Sequence, residues 1–165
     1  EDISDKPQVE YGKKSEELLL QLFALDFPQF EVKANKNVVY KRGFMFASLD
    51  GELTDKTTGE EGIYEGKTTE IHNHNLLSKW TKQIPDYYYT QILHYLLVTD
   101  RKFACLKAQI KLIGQDDNVE IITRHYMFYR KDLIEDLKYL YLKEKEFWEF
   151  VEKKQRPPLI LPRLD

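Results

Sequence analysis

The sequence predicts an α/β domain, a central β-sheet flanked by helices. Apolar residues recur at helical spacing from Tyr11 to Phe27, from Asp86 to about Thr99, and through 131–153. Between these segments lie short runs rich in β-branched and aromatic residues, bounded by Gly, Asn and Asp, which is the pattern of strands. The chain has 165 residues, 42% hydrophobic and 32% charged, enough to bury one full core and too apolar for disorder. Residues 1–165 therefore read as a single domain.

Taken in order, residues 1–9 are polar and expected on the surface. In the first helix Leu18, Leu19, Leu22 and Phe23 are expected to face the core, and Pro28 ends it. Phe30-Glu31-Val32 and Val38-Val39-Tyr40 read as a hairpin joined through Asn35-Lys36-Asn37. Phe44 to Leu49 is the most apolar strand, closed by Asp50-Gly51. Glu52 to Asp55 continues extended, and Lys56-Thr57-Thr58-Gly59 turns the chain into Gly62-Ile63-Tyr64-Glu65-Gly66-Lys67-Thr68. Residues 69–84 form a polar connection with Trp80. Pro85 opens the next helix, a favoured first-turn position. Phe103–Ile113 and Val119–Tyr129 read as an antiparallel pair. The last helix carries an apolar stripe of Leu133, Leu137, Leu140, Tyr141, Phe147, Trp148 and Val151, and Pro157-Pro158 stop it. The tail Leu159-Ile160-Leu161-Pro162 is apolar and expected to pack on the body or on a neighbouring subunit.

Composition narrows the classes of function. Net charge is −3, so there is no global basic signal for nucleic acid, although local patches such as Lys41-Arg42, Lys79 with Lys82, and Arg101-Lys102 remain. Each of these fits either phosphate contact or plain solvated charge. Cys105 is the only cysteine, which excludes an intramolecular disulfide, a cysteine-rich zinc site and a four-cysteine iron–sulfur cluster. That usage fits a reducing, cytoplasmic setting. No run approaches the ~18 apolar residues of a membrane span. The chain begins at Glu1 rather than Met, as a portion of a longer protein would.

One stretch breaks the pattern of its surroundings. On a strand, Ile63, Glu65 and Lys67 share a face. An acid and a base thus stand beside an apolar residue in a segment that otherwise reads as sheet core, where charge is costly unless paired or metal-bound. Asp50, arriving on the neighbouring antiparallel strand, can converge with them. Two carboxylates suit a hard cation such as Mg²⁺, and Gly66 can add its carbonyl without a side chain in the way. Lys67 would then stand beside a metal-bound water, with burial and the ion both favouring a lowered pKa. On local grounds a surface Glu–Lys pair and a turn-forming Asp50 explain the same residues. Glu16 fits the helix dipole. Gln91 and Tyr95, four apart, share a helix face. The pair His72 and His74 could ligate a metal, but its Asn and Ser neighbours favour a solvated loop.

Asp50 followed by Glu65-Gly66-Lys67 resembles the D…ExK signature of the PD-(D/E)XK nuclease superfamily. Gln91 to Tyr95 resembles the QxxxY motif of its RecB-like branch. Trp80, then Ile84-Pro85-Asp86-Tyr87-Tyr88 and Gln91, resembles the YqaJ-like phage exonucleases of the lambda exonuclease type, and Gly12 with Glu16 resembles their N-terminal helix motif. The resemblance spans roughly residues 11–130. It departs at Leu49, where proline is common, and the basic, Ser/Gly-rich N-terminal region that meets the DNA 5′ end is not recognisable here.

The resemblance implies a restriction-endonuclease-like core with a mixed sheet. It also implies double-strand DNA exonuclease activity, 5′ to 3′, dependent on Mg²⁺ with Mn²⁺ as a substitute. Asp50, Glu65, Gly66 and Glu16 would hold the metal, Lys67 would act on the water, Gln91 would hold the lysine or the DNA backbone, and Tyr95 would support it. The implied partners are double-stranded DNA, a single-strand annealing protein and further copies of the chain in a trimer. The implied setting is the cytoplasm of a bacterial or phage-infected cell. An endonuclease of the same superfamily and an inactive DNA-binding scaffold are the alternatives.

Overall fold

The computed structural model describes residues 6–35, 37–72, 74–114 and 118–159. Helix α1 (Pro7–Asp26) leads to strands β1 (Phe30–Ala34), β2 (Tyr40–Arg42), β3 (Met45–Ala47), β4 (Gly51–Asp55) and β5 (Glu61–Ile71). A short helix α2 (His74–Leu77) and a 3₁₀ turn precede α3 (Asp86–Thr99), then β6 (Phe103–Ile113), β7 (Val119–Tyr129) and α4 (Ile134–Glu152). Five strands form one sheet in the order β1-β4-β5-β6-β7, and β2 and β3 pair separately. Every neighbour in the main sheet is antiparallel except β5 and β6. A parallel pair needs a long crossover, and the segment carrying α2 and α3 supplies it.

Strand alternation divides the core in two. Ile63, Ala104, Leu106, Ala108 and Ile110 point to the side of α3, where Ile92, Leu96 and Leu97 cover them. Tyr64, Phe103 and Cys105 point the other way and pack with Leu53 against Leu20 and Phe23 of α1. The parallel pair is the reason β5 and β6 are apolar on both faces. Arg101, buried behind β5, ties the small sheet to the large one. Its Nη2 donates to Glu52 Oε2 at 2.6 Å, and Tyr40 of β2 donates to Glu52 Oε1 at 2.5 Å.

Several expectations are corrected. Helix α1 begins at Pro7 rather than at Tyr11, because proline suits the first helical turn. Its buried stripe is Leu19, Leu20 and Phe23, while Leu18 is 60% exposed and Leu22 also faces solvent. Helical spacing allows either stripe, and the fit to Leu53 and Tyr64 selects one. The first two strands do not form a hairpin. β1 pairs with β4 (Val32 opposite Leu53), and β2 pairs with β3 around Gly43, whose φ of 61° makes the tight turn. The strand expected over 44–49 shortens to β3 and leaves the main sheet. In the α4 stripe only Leu137 is fully buried. Trp148 stacks on Phe44 of the small sheet, ring centres 5.6 Å apart, and Phe147 is exposed. Leu159 is exposed too, and the rest of the tail, 160–162, lies outside the described residues. Among the described residues no helix is long and apolar enough to cross a membrane.

Candidate active site

The site forms where one ladder stops. β4 begins at Gly51, opposite Tyr64, so β5 runs on from Glu65 to Ile71 with no strand on that edge. A Cβ at 51 would crowd Leu20 at 2.9 Å and the Lys33 carbonyl at 3.1 Å, so glycine is the residue that fits without a shift. Asp50, the residue just before β4, takes the place of the missing strand: its Oδ2 accepts the Gly66 N–H at 2.9 Å. On a strand the N–H and C=O of one residue leave by the same edge, so the Gly66 carbonyl faces the same gap.

Glu65 is 1% exposed, on the α3 side of the sheet. Its Oε1 accepts from Lys67 Nζ at 2.5 Å, and its Oε2 is buried without a hydrogen-bond partner. Burial, with the Asp50 carboxylate next, pushes the Glu65 carboxyl up to about 8. Burial also raises Asp50, against the Gly66 hydrogen bond and the Lys67 charge. Burial alone would lower Lys67, but Glu65 and Asp50 outweigh it and hold the ammonium above its usual value. The lowering expected of this lysine rests on an adjacent cation; its own surroundings, two carboxylates, act in the opposite direction.

The other predicted residues gather around this pair. Glu16, on α1, reaches it through the field: burial and then Asp50 raise its carboxyl, while Lys67 and Lys13 oppose. Gly12, one turn earlier, faces Thr68, 3.5 Å from where its Cβ would be, an ordinary contact that an alanine would also make. A cleft of about 410 Å³ lined by Lys13, Glu16, Asn35, Ser48 and Asp50 opens beside the site. Gln91 bonds to Tyr95 rather than to Lys67. Its Nε2 donates to the Tyr95 hydroxyl at 2.7 Å, and the Tyr95 hydroxyl is raised by burial and by the Glu65 charge. His72 is exposed, and the His74 side chain lies outside the described residues.

Tyr88 lies at the site, although the sequence reading gives it no site role beyond its place in the Ile84–Tyr88 motif. Lys67 Nζ lies 5.2 Å from the centre of its ring. The signal was its spacing, three residues before Gln91 and seven before Tyr95, which puts all of them on one helix face.

Whether these residues fit a metal is decided by their donors. An orphaned carboxylate oxygen at Glu65, a second carboxylate at Asp50 and a main-chain carbonyl facing one gap are oxygen donors of the kind Mg²⁺ takes while keeping several waters. Among the described residues no group of three His, Cys, Asp or Glu side chains is gathered to hold an ion. The donor set fits a hard, partly hydrated cation and not a protein-only cage.

Residues 1–102 match the family model of the YqaJ-like viral recombinase domain. The chain belongs to that family. Solved structures with the same fold include the alkaline exonuclease LHK-Exo from Laribacter hongkongensis, at 13% identity and a TM-score of 0.52, covering 90% of this chain and 74% of that one. LHK-Exo in complex with dAMP aligns at 16% identity and a TM-score of 0.54, over 93% and 76% of the two chains. A phage-related exonuclease from Haemophilus somnus 129PT aligns at 14% identity and a TM-score of 0.57, over 89% and 73%. A search of curated proteins gives no match. This YqaJ-like domain therefore has the PD-(D/E)XK-type fold, a mixed five-stranded sheet flanked by helices.

Proposed function

We propose that this YqaJ-like domain is a metal-dependent double-strand DNA exonuclease of the phage recombination type, resecting 5′ to 3′. The observation that carries the reading is the Asp50–Glu65–Lys67 cluster at the end of a ladder, with one buried carboxylate oxygen left unpaired. Membership of a viral recombinase family and a fold shared with structures described as exonucleases support DNA as the substrate.

Asp50, Glu65 and the Gly66 carbonyl would hold Mg²⁺ or Mn²⁺, with Glu16 as a further or outer ligand. When bound, the ion would lower the pKa of a water and offset phosphate charge. Lys67, held over Tyr88, would orient that water or stabilise charge on the phosphate as it is attacked. Gln91 acts one step back, fixing Tyr95, which lines the site beside Glu65. Several copies of the chain, a trimer by resemblance, would surround the duplex, and a single-strand annealing protein would receive the strand left behind.

Linear and covalently closed duplex DNA, incubated with Mg²⁺, test the reading. The wild type should release nucleotides from the linear substrate, from its 5′-labelled end first, and leave the closed circle intact. EDTA and Lys67→Ala should each stop release. Cutting of the closed circle would make the protein an endonuclease of the same superfamily. An inert wild type would leave the scaffold reading.

A further inference from the structure

The first turns of α3 carry three consecutive tyrosines with different surroundings. Tyr89 is structural: its hydroxyl donates to Asp136 of α4 at 2.5 Å and its ring meets Phe128. Tyr88 lies over the ammonium of Lys67 and packs on the buried Trp80, ring centres 5.6 Å apart. Tyr87 is 66% exposed, and among the described residues its one ring neighbour is Tyr88, at 4.3 Å and an angle of 59°. The rings therefore form a series: Trp80 in the core, Tyr88 over the lysine, Tyr87 in solvent. The inner end is fixed, since the Tyr126 hydroxyl of β7 donates to the Trp80 carbonyl.

We propose that Tyr87 is a stacking platform for an unpaired nucleobase adjacent to the scissile phosphate. The inference rests on the nuclease reading above and adds a subsite to it. A phosphate held at Asp50, Glu65 and Lys67 puts the attached nucleoside within reach of the aromatic series, because Tyr87 is one ring removed from the one that carries the lysine. Every nucleobase has a π-face, so an aromatic platform accepts all of them, as a nuclease that works along arbitrary sequence requires. Tyr87 brings a large flat surface and a polar hydroxyl, and its backing by Tyr88 limits the freedom lost on binding.

The test measures binding apart from turnover, in a Lys67→Ala background, with a short single-stranded oligonucleotide and a duplex with a frayed end. Because Tyr87 is exposed, its replacement leaves the fold intact, which circular dichroism verifies. Tyr87→Ala should weaken binding by ~5- to 150-fold, the factor a single base–aromatic stack supplies by alanine substitution. Tyr87→Phe and Tyr87→Trp should keep it. An oligonucleotide with one abasic position, moved stepwise along the strand, should lose affinity at one position with Tyr87 present and at none in Tyr87→Ala. Equal binding with and without the Tyr87→Ala change, or an abasic penalty that survives it, would overturn the proposal alone. Failure to bind any DNA would overturn the nuclease reading and this subsite with it.

Discussion

The buried Glu65 carboxyl makes stability depend on pH in a direction opposite to that of most salt-bridged acids. Its folded pKa is about 8, against 4.5 for the free side chain. Between these values the folded chain keeps a proton that the unfolded chain has released. Unfolding then releases a proton, and stability falls as pH rises. Each unit of difference is about 1.4 kcal/mol, so the full window amounts to roughly 3–5 kcal/mol, a large part of the ~5–15 kcal/mol that holds a typical domain together. Asp50, also raised, adds a loss of the same sign. Lys67, raised as a base, stays charged throughout and contributes nothing to the slope in this window.

Urea unfolding in EDTA between about pH 5 and pH 8.5 measures this. The wild type should lose stability across the range, and Glu65→Gln should lose markedly less. Mg²⁺ added at the alkaline end should restore the wild type and leave the Gln variant unchanged. Since a ligating carboxylate must be ionised, Mg²⁺ binding near pH 7 should release close to one proton per chain, read by calorimetry in buffers of different protonation enthalpy. Wild-type stability that rises with pH, or that parallels Glu65→Gln, would refute the reasoning.

Further outcomes follow from the same geometry. Lys67→Ala should cut nucleotide release from linear duplex by roughly 10²- to 10⁴-fold while DNA binding changes little, measured by single-turnover kinetics. Phe23→Ala should cost ~3–5 kcal/mol and Leu22→Ala less than ~0.5 kcal/mol in thermal or urea unfolding, because only the first is buried. Gly62→Ala should destabilise by ~1–3 kcal/mol, since its Cβ would sit 2.3 Å from the Phe103 ring. Gln91→Ala should lower the rate less than Lys67→Ala, because it acts through Tyr95.

What the sequence made legible is what depends on local periodicity. Strand parity alone puts Glu65 and Lys67 on one face, and helix spacing puts Gln91 beside Tyr95; both contacts are present at 2.5 and 2.7 Å. What stayed hidden is what depends on partners far along the chain. Nothing between Phe30 and Leu49 says that β1 joins β4 while β2 and β3 turn on themselves. The apolar residues of α1 fit two rotations about the helix axis, and only the surface beneath decides between them. Tyr88 over Lys67 needs the crossover between β5 and β6, which brings a helix from well downstream across the strand. The raised lysine pKa has the same origin, for it depends on a carboxylate contact whose strength no spacing rule supplies.

The halted ladder between β4 and β5 also has an architectural consequence. An ordinary sheet saturates its main chain, and whatever chemistry it supports must be carried by side chains projecting above it. Here the weave is left open for half a strand, so the peptide groups themselves become part of the working surface. Extending β4 toward its N-terminus by two paired residues would close the seam: Gly66 would bond to backbone, Asp50 would be evicted, and the carbonyl beside it would be spent on the sheet. Asp50, Glu65 and Lys67 could then be present in full sequence order and still have nowhere to meet.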